Sequence, residues 1–270
     1  MATHTRTFGR EEGEEPGTEL IERSARAESG LFPDLDHFFR WFAEQRRRAT
    51  MTVRPIALES LDGWRADPRT GNLHHTSGRF FGVEGLDVRV PEGPIEHWRQ
   101  PIINQPEVGI LGVLMKEFSG VPHLLVQAKG EPGNHNGLQL SPTVQATRSN
   151  YTRVHRGARV PYLDHFRDKS RHRVLADVLQ SEQGSWFFRK QNRNMVVQTD
   201  ENIAPLDGFC WLTLGQLHSL LAQDDLVNMD LRTVLSCLPF DWAGAAGSSG
   251  SGTVSTRSQE PDSHTMSTLN

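Results

Sequence analysis

The chain has 270 residues, a formal charge of −4 at pH 7, 23% charged residues and 36% hydrophobic ones. Its length allows one large domain or two small ones, and the low hydrophobic share is assigned to the two ends rather than to a depleted core. No run reaches the roughly 18 apolar residues of a membrane span, the charged Met1–Glu15 is not signal-like, and the slightly acidic balance leaves no basic footprint for nucleic acid.

Residues 1–18, rich in charge and glycine, are expected to be a disordered arm, 19–241 the folded domain, and 242–270 a disordered Gly/Ser-rich tail that cannot bury enough apolar surface to offset its ordering entropy. The first helix is expected over 33–48, where Leu35, Phe38, Phe39 and Phe42 recur at helical spacing and Trp41 widens the stripe. Asp34 or Asp36 suits its first turn, and Arg46, Arg47 and Arg48 suit the negative end of the helix dipole; this capping role is preferred to phosphate binding.

A strand region follows. Leu86, Val88 and Val90 alternate over Asp87 and Arg89, and two apolar runs, 109–118 and 121–129, flank the turn signal Ser119-Gly120. A third run, 138–147, contains Pro142, which points to an edge strand or a bulge. Two helices close the domain. One starts at Thr213, which has capping-box spacing to Gln216; the other spans about 230–238 and stops at Pro239. Strands first and helices mostly later give an α+β sandwich with antiparallel pairing.

Familiar catalytic signatures such as GxSxG, the P-loop, HExxH and GxGxxG do not occur. Cys210 and Cys237 form no metal-type pairing. His123, opening a strand, is expected to be a satisfied packing residue. The densest polar segment, 127–155, carries Lys129, Glu131, Gln145, Arg148, Asn150, Tyr151 and His155 between the anchors Leu138, Leu140, Val144 and Val154. Such anchoring suits a cleft wall. Amides and hydroxyls there match sugar hydroxyls, and Arg148 could fork onto a phosphate. Trp64, in an Asp-Gly loop, is either a core lid or a stacking platform for a base.

The runs GWRADPRTGNLHHTSGRFFGVEG (63–85), WRQPIINQPEVGILGVLMKEF (98–118), QAKGEPGNHNGLQLSPTVQATRSNYTRVHRG (127–157) and QGSWFFRKQNRN (183–194) resemble the NDP-hexose 2,3-dehydratases of deoxysugar and antibiotic biosynthesis. The likeness extends over about 40–240. It implies a Nudix-like mixed β-sheet sandwich flanked by helices, without the metal-binding Nudix box. It also implies a dTDP-linked 4-keto-6-deoxyhexose as substrate, from which the C2 hydroxyl is eliminated without a redox cofactor or metal. By position, Trp64, Thr147, Arg148, Ser149 and Asn150 would hold the nucleotide sugar, and Gln145 of the polar segment is a further candidate to bind it. Glu131, His155 or Lys129 is the candidate base, and Tyr151 or Lys129 the donor to the enolate oxygen. The family further implies two tandem copies, of which one is read here, so a non-catalytic sugar-nucleotide binder is the alternative. A homodimer and a downstream NADPH-dependent 3-ketoreductase complete the expected partners, in the cytoplasm.

Overall fold

The computed structural model describes residues 17–147, 159–168 and 172–240. Two helices come first: α1 (Gly17–Arg26), which begins inside the arm expected over 1–18, and α2 (Leu35–Arg48). Leu20 and Ile21 bury one face of α1. In α2, Asp36 falls in the first turn, and the other candidate, Asp34, is the N-cap, its carboxylate accepting the His37 backbone N–H at 2.9 Å. Phe38 and Phe42 are buried and stack at 5.7 Å. Arg46, Arg47 and Arg48 lie in the last turn of α2, the position expected of them, and Arg47 also pairs with Glu44 and Arg48 with Asp207.

A small antiparallel sheet follows, ordered β1 (Trp64–Ala66), β2 (Leu73–His75), β3 (Gly82–Arg89) and β4 (His97–Asn104). The alternation expected over 86–90 holds as far as Arg89, with Leu86 and Val88 half-buried and Asp87 and Arg89 exposed; Val90 lies past the end of β3 and is 41% exposed.

The larger sheet is built from β5 (Gly109–Phe118), β6 (Val121–Gly130), β7 (Leu138–Pro142), β8 (Val144–Ala146), β9 (Arg173–Ser181), β10 (Gln191–Gln198) and β11 (Phe209–Leu212). Its spine runs β11-β6-β5-β10-β9. The β5–β6 hairpin turns at Ser119 (φ 48°) and Gly120 (φ 82°). Two successive positive φ values make the turn type that matches the strands' own twist.

Beyond that turn the hairpin splays, and β7 and β8 fill the fork, β7 pairing with β6 and β8 with β5. Thr143 sits between them. Its hydroxyl accepts the Leu114 N–H at 2.9 Å and donates to the Leu125 carbonyl, satisfying two strands where their own ladder opens. The 138–147 run is therefore neither an exposed edge nor a bulge but two short buried strands broken at Thr143. Pro142 falls at the break, where its missing N–H is least costly.

Two further expectations are corrected. Pairing is not all antiparallel, because β5 and β10 run parallel. Two helices rather than one precede the strands, because α1 forms as well as α2. The remaining helices are the one-turn α3 (Asp164–Arg167), α4 (Leu214–Leu221) and α5 (Met229–Ser236). In α4 the full capping box between Thr213 and Gln216 forms as expected.

Alternation along β5, β6 and β10 sends side chains to two cores. Leu111, Val113, Met115, Leu124, Val126 and Val196 meet α1, α2, α4 and α5 on one face. Leu114, Leu125, Met195, Val197 and Trp211 meet Leu163 and Phe166 on the other. His123 is a packing residue, as expected: Nδ1 donates to the Val121 carbonyl at 2.8 Å and Nε2 accepts the Leu31 N–H at 3.1 Å. Burial lowers its pKa.

Candidate active site

The registers of the large sheet bring five chain segments to one end. The starts of β5 and β10 lie side by side, with Asn192 opposite Gly109 and Asn194 opposite Leu111. The end of β9 joins them, with Gln180 opposite Asn192. β8 ends beside Ile110, and β6 runs out at Gly130 next to Leu138. Over this end sits the N-terminus of α5, held down because Leu140 exchanges backbone bonds with Leu226 and Asn228 (2.8 and 2.9 Å).

Beneath α5 is a recess of about 90 Å³ lined by Leu111, Gln180, Glu182, Asn192, Asn194 and Asp230, among others. That is space for a few waters or one end of a polar ligand, given that a single water needs roughly 10–15 Å³ on this measure. Asn194 is fully buried, and its Oδ1, like the Oε1 of Gln180, has no hydrogen-bond partner among the described residues. Buried acceptors left unpaired are costly, about 1–3 kcal/mol each, and both belong to the lining of one recess.

The charged part of the site is a carboxylate cluster that holds the Lys129 ammonium. Lys129 Nζ lies 3.1 Å from Glu131 Oε1, and the same oxygen accepts Gln145 Nε2 at 2.8 Å. The Gln145 carbonyl faces Asn228 Nδ2 (3.4 Å), which also bonds Ser141 Oγ (2.9 Å), while Asn228 Oδ1 caps α5 at the Leu231 N–H (2.8 Å). Asp230, in the first turn of α5, completes the group. Burial pushes its pKa up to about 6; Glu182 and Glu131 push the same way, and Lys129 opposes them. Glu182 in turn accepts from Asn192. Burial lowers the pKa of Lys190, against the attraction of Glu182 and Glu107.

Of the residues singled out from sequence, Lys129, Glu131 and Gln145 are thus brought together. Thr147, half-buried, follows directly on β8. Arg148, Ser149, Asn150, Tyr151 and His155 lie outside the described residues. Trp64 stands in β1, half-buried, its ring packed against His75, Phe80 and Phe81 at 5.0–5.9 Å; none of these neighbours belongs to the recess. Asp230, Glu182, Gln180 and Asn194 were missed. The signal available for the last of these was the polar interruption Asn192-Arg193-Asn194 immediately before the apolar Met195-Val196-Val197.

A larger, open hollow lies along α2, between Phe39, Arg40, Arg46 and Arg47 on one side and Asp224 and Leu226 on the other. Among the described residues, no helix is long and apolar enough to cross a membrane.

An α+β sheet carrying an Asp/Glu/Lys group beside unpaired amide acceptors is an arrangement chemically suited to moving protons on a small polar molecule. The sequence places the chain more narrowly. Residues 35–238 match the model of the NDP-hexose 2,3-dehydratase family, and the chain belongs to that family. It is 55% identical over 221 residues to a dTDP-4-dehydro-6-deoxy-alpha-D-glucopyranose 2,3-dehydratase of Saccharopolyspora spinosa, covering 82% of this chain and 45% of the relative. A protein of the same name from Amycolatopsis orientalis is 52% identical over 225 residues, covering 82% and 48%. The chain therefore spans about half the length of these relatives. Among solved structures, an ADP compounds hydrolase overlays with a TM-score of 0.38 at 14% identity, over 70% of this chain and 94% of that one. A Nudix hydrolase from M. smegmatis overlays with a TM-score of 0.31 at 15% identity, over 57% and 98%.

Proposed function

We propose that the chain eliminates water across C2 and C3 of a dTDP-linked 4-keto-6-deoxyhexose, with the recess under α5 receiving the sugar. The observation that carries this reading is Asp230, a carboxyl poised near 6 beside Glu131, Glu182 and Lys129. A general base works best when its pKa lies near the working pH. The C4 ketone acidifies the hydrogen on C3. Asp230 takes that proton, and the charge moves to O4, with the Lys129 ammonium as the donor proposed to meet it. The enolate electrons then expel the C2 hydroxyl, which accepts the proton from the carboxyl and leaves as water. The remaining enol of C3 relaxes to a 3,4-diketo-2,6-dideoxy sugar.

Glu131 holds Lys129 charged and oriented, and the amides of Gln145, Asn192 and Asn194 offer hydrogen bonds to sugar hydroxyls. β8 ends at Ala146 opposite Ile110, next in sequence to the recess-lining Leu111, and Thr147 follows directly; this supports a role for Thr147, and with it Arg148, Ser149 and Asn150, in gripping the diphosphate. Tyr151 and His155 stay candidates for proton transfer in the same stretch, and Trp64 for the base. The product is a labile diketone, so an NADPH-dependent 3-ketoreductase is the natural next enzyme. A homodimer and a cytoplasmic setting belong to the same proposal.

The test mixes the purified chain with dTDP-4-keto-6-deoxyglucose, a C3 ketoreductase and NADPH. NADPH consumption that requires this chain, and that falls in Asp230→Asn, is the expected result. Saturable binding of the sugar nucleotide without consumption would replace the dehydratase reading with that of a binder.

A further inference from the structure

At the opposite end of the large sheet, three side chains converge that the proposed chemistry does not use. His165 Nδ1 lies 3.1 Å from His172 Nε2, and that same nitrogen lies 3.9 Å from Glu201 Oε1. One ligand atom from each of the three falls within 4.8 Å of the other two. We propose that His165, His172 and Glu201 form a binding site for a divalent transition metal, zinc first, that clamps α3 and the start of β9 to the β10–β11 connection.

The donor set and its spacing favour a metal. Two imidazoles and a carboxylate suit borderline ions such as zinc rather than magnesium or calcium. With Zn–N bonds of about 2.0–2.1 Å, neighbouring ligand atoms of a tetrahedral site sit about 3.3 Å apart. The two histidine nitrogens, at 3.1 Å, need move by only a few tenths of an ångström. Three protein ligands leave a fourth position for water.

Each ligand is positioned by something independent of a metal. His172 directly precedes β9, and β9 pairs Arg173 with Gln198 of β10, which puts Glu201 just past the same end. The Glu201 backbone N–H bonds Thr199 Oγ1 at 3.1 Å, fixing the turn that carries it. His165 is set by its neighbour Phe166, which is 2% exposed and fills the space left by Gly112, where an added Cβ would lie 2.5 Å from the ring. The His172 side chain is only 4% exposed, so the site is sheltered on one side and open at Glu201 (43%).

The clamp would reinforce a tie that exists already. Tyr162, held at φ 58°, accepts the Leu206 N–H through its hydroxyl at 2.8 Å, joining the same two segments. The metal would be structural rather than catalytic. Eight residues of extended strand separate His172 from Gln180 in the recess, roughly 26 Å at 3.3 Å per residue.

The test strips the full chain with chelator, removes the chelator, and titrates in Zn²⁺ against a chromophoric competitor. The account predicts one tight equivalent and a higher melting temperature with zinc, since a ligand bound only to the folded state stabilises it. Outer partners of a zinc ligand are worth about 10–100-fold in affinity, so Glu201→Gln, exposed and harmless to folding, should weaken binding at least that much and abolish the zinc-dependent melting shift. His172→Ala should lose the site altogether, and His218→Ala, exposed on α4, should leave it intact. No saturable equivalent, or binding and a melting shift unchanged in Glu201→Gln, would overturn the proposal and leave the two rings as a hydrogen-bonded pair.

Discussion

Replacing Asp230 by asparagine keeps the shape of the side chain and removes its charge. The carboxyl is raised from 3.8 to about 6 by burial and by Glu182 and Glu131. About two pKa units at roughly 1.4 kcal/mol each give up to about 3 kcal/mol by which the folded state disfavours the ionised form. The first-turn position on α5 offers the charge about 0.3–1 kcal/mol of favourable dipole interaction, which the amide gives up in part. A net gain of about 2 kcal/mol in Asp230→Asn at pH 8 is therefore expected. The sign follows from proton binding. Between pH 4 and 6 the folded chain holds a proton that the unfolded chain has released, so wild-type stability falls as pH rises through that window. Below pH 4 both forms are neutral at this position, and the variant should show no gain. Urea unfolding of both proteins at unit steps from pH 4 to 8 reads the difference directly. His123 titrates in both proteins and cancels from the comparison. A variant no more stable at pH 8, or a difference independent of pH, would refute the burial and charge assignment at the recess.

Three further outcomes rest on single contacts. Gly112→Ala would bring a Cβ to 2.5 Å from the Phe166 ring, and such overpacking should lower stability by about 1–3 kcal/mol in urea unfolding. Thr143→Val removes the hydroxyl that serves Leu114 and Leu125 at the fork; with both groups left unsatisfied, a loss of about 1–3 kcal/mol is expected, together with faster amide exchange at Leu114. The lowered pKa of His123 means that its neutral form is the one the fold accommodates, so its contribution is complete above about pH 6.5 and is lost as pH falls below it. His123→Gln should flatten that acid-side decline.

What the sequence discloses about this fold depends on how local the cause is. The Ser119-Gly120 turn, the acidic first turn of α2 and the Thr213–Gln216 box are each decided within four residues, and all three form as read. β9 and β10 escaped notice because neither alternates cleanly. β9 carries Val178 and Leu179 outward, and β10 passes from the recess-lining Asn192 and Asn194 into Met195–Val197, buried on both faces. The parallel partner of β10, β5, lies more than 70 residues away, so no short pattern could announce it.

The site divides the same way. Lys129, Glu131 and Gln145 were visible as a dense polar segment, because one splayed hairpin and its filler supply all three. Asp230 and Glu182 were not, because α5 and the end of β9 meet them only through the register of the whole sheet. An acid in the first turn of a helix reads from sequence as ordinary capping; only burial changes its meaning.

The central claim is that the recess carboxyls move the proton at C3. The most direct measurement incubates the chain with dTDP-4-keto-6-deoxyglucose in deuterated water and follows deuterium at C3, beside Asp230→Asn and Glu131→Gln, each first verified as folded. The account predicts exchange or elimination with wild type and a loss of about 10²-fold or more in Asp230→Asn, the usual scale for a positioned acid–base group, with a smaller loss in Glu131→Gln. Exchange at the wild-type rate in Asp230→Asn would contradict it and move the base elsewhere.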